Sequence, residues 1–115
     1  MARVLLVEDD ESLGRTLIER LRREGFDVSW AQTVASAEAA LANGPWDLAI
    51  LDVKLPDGSG FGLARHVKRS SLTPIMFMTA LNSAENRLEG FEIGADEYLP
   101  KPFHLPELVA RLRAL

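Results

Sequence analysis

Residues 50 to 60 read ILDVKLPDGSG, and Leu48 and Ala49 ahead of them lengthen the apolar run to LAIL. A short segment with no polar face, closed by a cluster of Pro, Asp and Gly, has the pattern of a strand covered on both sides in a parallel sheet. Asp52 stands at its end, where burying a lone carboxylate is costly. The following LPDGSG is turn chemistry: Pro56 and the glycines stop the strand and lead into a helix. The acid therefore calls for a fold in which a buried strand ends at a pocket.

On either side of this stretch, runs at residues 4–7, 28–30, 48–51, 75–78 and, more weakly, 97–99 read as strands. Between them apolar residues recur three and four apart, as helices with one buried stripe require. Leu13, Leu17, Ile18 and Leu21 serve the first helix, and Ala37, Ala40 and Leu41 the second. Phe61, Ala64 and Val67 serve the third, Leu88 and Phe91 the fourth, and Leu105, Leu108, Val109 and Leu112 the fifth. Gly25, Gly44 (before Pro45) and Gly94 stand just past helix ends, where a left-handed cap suits glycine, and Pro106 suits a first helical turn. Strand and helix alternate five times, so the expectation is one doubly wound α/β domain over residues 1–115 with a parallel sheet.

The composition narrows the function. With 115 residues and 47% of them hydrophobic, the chain has material for one core and no room for two domains. A net charge of −4 argues against a nucleic-acid surface within these residues, since neutralising phosphates needs clustered Lys and Arg. Cysteine is absent, which excludes disulfides and thiol catalysis. The opening MARVLLVEDD meets three acids after a brief apolar stretch and resembles neither a signal peptide nor a membrane span. A cytoplasmic domain is expected, and the ending ARLRAL, inside the last helix, suggests that more chain comes after it.

In open α/β sheets ligands bind outside the carboxyl ends of the strands. There the chain carries Glu8, Asp9 and Asp10 after the first strand, Asp52 after the third, Thr79 after the fourth and Lys101 after the fifth. Each has an ordinary explanation. Asp10 or Glu11 suits a helix N-terminus, Thr79 a strand end or cap, and Lys101 a solvated surface. Their coincidence at four strand ends points instead to a common pocket. Several carboxylates together need either a proton or a cation to relieve their repulsion, and an oxygen-only set favours Mg²⁺. A phosphoryl group fits the same surroundings, with Lys101 and the ion neutralising it, Thr79 donating a hydrogen bond, and an Asp attacking phosphorus to give an acyl phosphate.

These residues resemble the receiver domain of bacterial two-component response regulators along the whole chain, through VEDD at 7–10, ILDVKLPDGSG at 50–60, MTA at 78–80 and YLPKPF at 98–103. The resemblance implies a flavodoxin-like (βα)5 fold with strand order 2-1-3-4-5, and Asp52 as phosphoacceptor for a sensor histidine kinase. It further implies Mg²⁺ held by Asp9, Asp52 and the main-chain carbonyl of Lys54, with Glu8 acting through water. Thr79 and the backbone of Ala80 would bind phosphoryl oxygens, Lys101 would pair with the phosphoryl group, and the Lys101–Pro102 bond would be cis. Thr79 and Tyr98 would form the coupled switch, the ring turning inward as the hydroxyl is drawn to the phosphoryl group. His66 and His104 are expected at the surface, outside any phosphate relay.

The ending GADEYLPKPFHLPELVARLRAL is most similar to regulators of the OmpR/PhoB type, in which a winged-helix DNA-binding domain comes after the receiver. That class implies a homodimer through the fourth helix, fifth strand and fifth helix, with Arg87 facing Glu107 and Glu97 facing Arg111. DNA would be met only through the missing output domain. Alternatives are a pseudo-receiver that is never phosphorylated, a haloacid dehalogenase-like phosphatase and a flavodoxin. The phosphatase would need DxD on its first strand, where the acids are instead contiguous as EDD, and the residue two after Asp52 is Lys54. The flavodoxin would need a hydroxyl- and glycine-rich loop where EDDES stands.

Overall fold

The computed structural model describes residues 1–115. Its strands are β1 (Arg3–Val7), β2 (Asp27–Ala31), β3 (Leu48–Leu51), β4 (Ile75–Thr79) and β5 (Glu97–Pro100). The helices between and after them are α1 (Glu11–Arg23), α2 (Val34–Leu41), α3 (Gly60–Ser70), α4 (Ala84–Ile93) and α5 (Leu105–Arg113). All neighbouring strands are parallel, in the order β2-β1-β3-β4-β5, the flavodoxin-like arrangement expected. The turn after Asp52 closes as a small antiparallel hairpin, Lys54–Leu55 against Gly58–Ser59.

Alternation along each strand splits the core into two layers. Leu5, Val7, Ala49 and Leu51 face α2, α3 and α4 with Phe61, Ala64, Val67, Phe77 and Tyr98. Val4, Leu6, Leu48 and Ile50 face α1 and α5 with Leu17, Leu21, Leu108 and Leu112. β1, β3 and β4 are buried on both faces, apart from the half-buried Arg3 at one end. Registers Val7↔Ala31 and Val7↔Leu51 bring the ends of β2, β1 and β3 level, so the residues just past β1 and β3 share one edge.

Caps define most helix starts. Asp10 accepts from the Leu13 N–H at 3.0 Å, Thr33 and Ser36 form a reciprocal capping box, and Ser83 accepts from the Asn86 N–H at 3.0 Å. Gly25 and Gly94 have positive φ, as expected past helix ends. Gly44 does not: α2 stops at Leu41, Ala42 keeps right-handed geometry, and the Gly44 N–H bonds back to the Leu41 carbonyl. The main chain there turns without a left-handed residue. The Lys101–Pro102 bond is cis, as expected, and so is Gly44–Pro45.

The stripe assigned to the fourth helix needs correction. Leu88 and Phe91 are 58% and 48% exposed, and the only buried residue of α4 is Gly90. A Cβ at Gly90 would stand 3.0 Å from the Tyr98 ring and 3.1 Å from the Phe77 ring. The helix lies on those rings through its glycine, with Ile93 packed beside it, and the bulkier residues turn outward. No helix is long and apolar enough to cross a membrane.

Candidate functional site

Glu8 comes directly after β1 and is fully buried. Its Oε1 accepts from the Lys101 ammonium at 2.6 Å and its Oε2 from the Asp10 N–H at 2.9 Å. Asp52, 5% exposed, continues the ladder by donating its N–H to the Val7 carbonyl at 2.9 Å, and its Oδ2 accepts from Lys101 at 2.8 Å. Its Oδ1 accepts a long bond, 3.3 Å, from the Lys54 N–H. Asp9 is exposed beside them, and one carboxylate oxygen from each of Glu8, Asp9 and Asp52 lies within 4.8 Å of the others.

Lys101 arrives from β5 through a backbone bond from its N–H to the Thr79 carbonyl, 2.8 Å. Thr79 is fully buried, and its hydroxyl accepts from the Leu81 N–H at 3.2 Å. The hydroxyl of Tyr98, a ring only 5% exposed, donates to the carbonyl of the same Leu81. One peptide segment thus joins the threonine and the tyrosine, and the ring is already packed inward. Ala80 is exposed at the mouth, next to a groove of about 660 Å³ lined by Asp10, Leu13, Thr16, Lys101, Phe103 and Leu105.

Electrostatics at this corner come from burial and pairing. Burial pushes the Glu8 carboxyl above its usual range, against the pull of the Lys101 hydrogen bond. Burial also works against the Lys101 ammonium, but hydrogen bonds to Asp52 and Glu8 outweigh it and raise Lys101 above the ordinary lysine value. Burial raises Tyr98 as well. One ammonium cannot balance three carboxylates, so a further cation of hard, oxygen-seeking type suits the corner.

The structure brings together Glu8, Asp9, Asp52 and Lys101, with Thr79 one backbone step away. Lys54 points no charge at them: its side chain is exposed, and only its N–H touches Asp52. The residues expected at a dimer surface are occupied within the chain. Arg111 pairs with Glu97 and, at 3.0 Å, with Glu107, while Arg87 donates to the Asn82 side chain at 2.8 Å. His66 and His104 are exposed.

Three residues near the site were not legible from the sequence. Asp57, read only as a turn residue, reaches across to α2 and accepts from the Val34 and Ala35 N–H groups at 2.7 and 3.0 Å, which lowers its pKa. Gly60 lies against the Asp52 main chain so closely that a Cβ there would fall 1.9 Å from the Asp52 carbonyl oxygen. Trp30, read only as a strand residue, donates its indole N–H to the Glu8 carbonyl at 2.8 Å. A turn aspartate, a glycine after serine and a strand tryptophan carry no local mark of such distant partners.

The model of the response regulator receiver domain matches residues 4–113. The response regulator protein PmrA of Pseudomonas aeruginosa is 44% identical over 114 residues, covering 98% of this chain and 52% of that protein. The transcriptional regulatory protein CpxR of Klebsiella pneumoniae is 43% identical over 115 residues, covering all of this chain and 49% of that protein. Both are of the OmpR/PhoB type that the C-terminal stretch resembles, and the chain spans about half the length of each. The non-phosphorylated HemR receiver domain from Leptospira biflexa superposes with a TM-score of 0.94 at 50% identity, over 99% of this chain and 93% of that one. With its acids and lysine gathered at the carboxyl edge of a 2-1-3-4-5 sheet, the chain belongs to the response regulator receiver domain family of two-component signal transduction.

Proposed function

We propose that this receiver accepts a phosphoryl group from a sensor histidine kinase on Asp52, in a Mg²⁺-dependent reaction. The observation that carries the reading is Asp52 itself: a nearly buried carboxylate at the end of a central strand, within 2.8 Å of an ammonium and beside two further acids. An Asp52 oxygen attacks phosphorus in line, and the P–O bond forms as the P–N bond to the donor imidazole breaks. The bonding pair leaves on the imidazole nitrogen, which takes up a proton. Lys101 then shifts from the Asp52 oxygen to a phosphoryl oxygen, and the Thr79 hydroxyl and the Ala80 N–H bind the others.

The acids present fit Mg²⁺, being all-oxygen donors with excess negative charge. Asp9, Asp52 and the Lys54 carbonyl would hold it, with Glu8 acting through water. When bound, the ion supplies charge neutralisation for the attacking carboxylate and the transferring phosphoryl group. Glu8, spanned by the Asp10 N–H and Lys101, keeps the ammonium at the pocket.

The signal leaves through Leu81, whose N–H meets Thr79 and whose carbonyl meets Tyr98. A change at Thr79 therefore reaches the ring that α4 rests on. The outcome we propose is a homodimer through α4, β5 and α5, using Arg87, Glu97, Glu107 and Arg111. It requires Arg111 to exchange its internal partners for those of a second copy. Control of transcription would run through a DNA-binding domain beyond residue 115, and the protein would act in the cytoplasm. The test is incubation with acetyl phosphate and Mg²⁺, read by intact mass. Wild type should gain one phosphoryl group that hydroxylamine removes, and Asp52→Asn none. Equal labelling of the two overturns the assignment.

A further inference from the structure

We propose that Trp30 is a positioning residue for the acidic corner: its indole N–H on the Glu8 carbonyl and its ring in the gap at Gly14 set where Glu8 and Asp9 present their carboxylates. The β1–β2 ladder ends with Val7↔Ala31, and the Glu8 N–H still reaches the Ala31 carbonyl at 3.0 Å. Beyond that the chain of β2 leaves for the cap of α2 at Thr33, and no main-chain N–H donates to the Glu8 carbonyl. The Trp30 indole supplies the missing donor, at 2.8 Å.

That carbonyl is the oxygen of the planar unit joining Glu8 to Asp9. Fixing the plane fixes one backbone torsion on each side of it, and hence the directions of both acidic side chains. The ring is held in turn by α1. A Cβ at Gly14 would stand 2.1 Å from Trp30 Cζ2 and 2.4 Å from Cε2, so the indole fills the place that any other residue at position 14 would occupy. Gly14 and Trp30 are complementary in shape, and together they tie β2 and α1 to the peptide that carries two of the three acids. Partners one step behind metal ligands orient them, and losing such a partner costs about 10–100-fold in metal affinity.

The inference rests on Mg²⁺ binding at this corner, and its test separates the two. Mg²⁺ is titrated into the unphosphorylated 15N-labelled protein, and dissociation constants are taken from the amide shifts of Asp9 and Asp52. Trp30→Phe, which keeps a ring and removes the N–H, should bind about tenfold more weakly, at the low end of that range. Trp46→Phe is the control. It also loses one indole-to-carbonyl bond, to Ala40 at 3.1 Å, but at a distance from the acids, and should bind as wild type does. In wild type the Trp30 indole N–H resonance should shift with the same dissociation constant as the Asp9 amide, and that of Trp46 should not. This measurement stands even if Trp30→Phe fails to fold. Equal affinity of wild type and Trp30→Phe, or an indole resonance indifferent to Mg²⁺, overturns the positioning role alone. A wild-type protein without a saturable response overturns the metal reading and this inference with it.

Discussion

Two glycines in the first turn of α3 should respond to alanine in opposite directions. At Gly60 the added Cβ would lie 1.9 Å from the Asp52 carbonyl oxygen, 2.8 Å from its carbon and 3.0 Å from Val53 Cα. All three are backbone atoms, so no rotamer relieves the clash, and the strand end or the helix must move by about 1 Å. Overpacking of this kind costs about 1–3 kcal/mol. The movement also endangers the 2.8 Å bond from the Gly60 N–H to the Val53 carbonyl, adding about 1 kcal/mol. The expected loss is about 2–4 kcal/mol, or a urea midpoint lower by about 1–2 M. At Gly62 a Cβ meets nothing within 4 Å, and alanine should stabilise by about 0.5–1 kcal/mol through helix propensity. Neither glycine has positive φ, so torsional strain does not enter.

The same displacement bears on chemistry, because it is the Asp52 peptide that Gly60 touches. A misplacement of about 1 Å at a reacting group can cost about 100-fold in rate, so phosphorylation of Gly60→Ala by acetyl phosphate should slow by about 10–100-fold. Gly62→Ala should react like wild type. Urea unfolding monitored by circular dichroism and intact-mass labelling rates check both statements. A Gly60→Ala midpoint at or above wild type, with an unchanged labelling rate, would refute the claim that this close approach sets the position of Asp52.

Other expectations concern the charges and the switch. Lys101→Met leaves Glu8 buried without its cation and should destabilise by about 3 kcal/mol, the low end for a broken buried pair because Lys101 is 20% exposed. Lys101 is a partner that lowers the Glu8 pKa, so in the variant Glu8 takes up its proton at higher pH, and thermal melts should show the deficit shrinking as pH falls toward the wild-type folded value. Asp57 has a lowered pKa, so its cap on α2 contributes fully above its ordinary value of 3.8 and fades as pH falls through the folded value. The stability gap between wild type and Asp57→Asn should therefore close in acid, and a gap independent of pH contradicts the cap. Thr79→Ala should accept phosphate yet dimerise poorly by light scattering; dimerisation equal to wild type breaks the proposed link through Leu81. Neither Lys54 nor Leu81 can readily orient an attacking water, so the aspartyl phosphate should decay over minutes to hours in Mg²⁺, and decay within seconds contradicts this.

The order of strands and helices was legible in the sequence because its causes are local: apolar runs, stripes three and four apart, and turn residues between them. So was the location of the acids, since residues that end parallel strands must meet along one edge. Leu88 and Phe91 show where periodicity fails. Apolar side chains three apart marked them as the buried face of α4, but a helix seated through Gly90 on Tyr98 and Phe77 buries its smallest residue and exposes these larger ones. Gly44 shows the same for caps: a glycine past a helix end permits a left-handed turn without requiring one.

What this chain determined by itself is which residues end the strands of a doubly wound sheet, because hydrophobic period and turn chemistry act over a few neighbours. Only the tertiary structure decided that Lys101 bridges Glu8 and Asp52 across 93 and 49 positions. It alone showed that Asp57 caps a helix 22 and 23 residues earlier and that an indole 22 residues away holds the Glu8 peptide. Contacts of that span depend on strand order and register, which bring distant residues within hydrogen-bonding distance, and no local pattern encodes the directions in which their side chains then point.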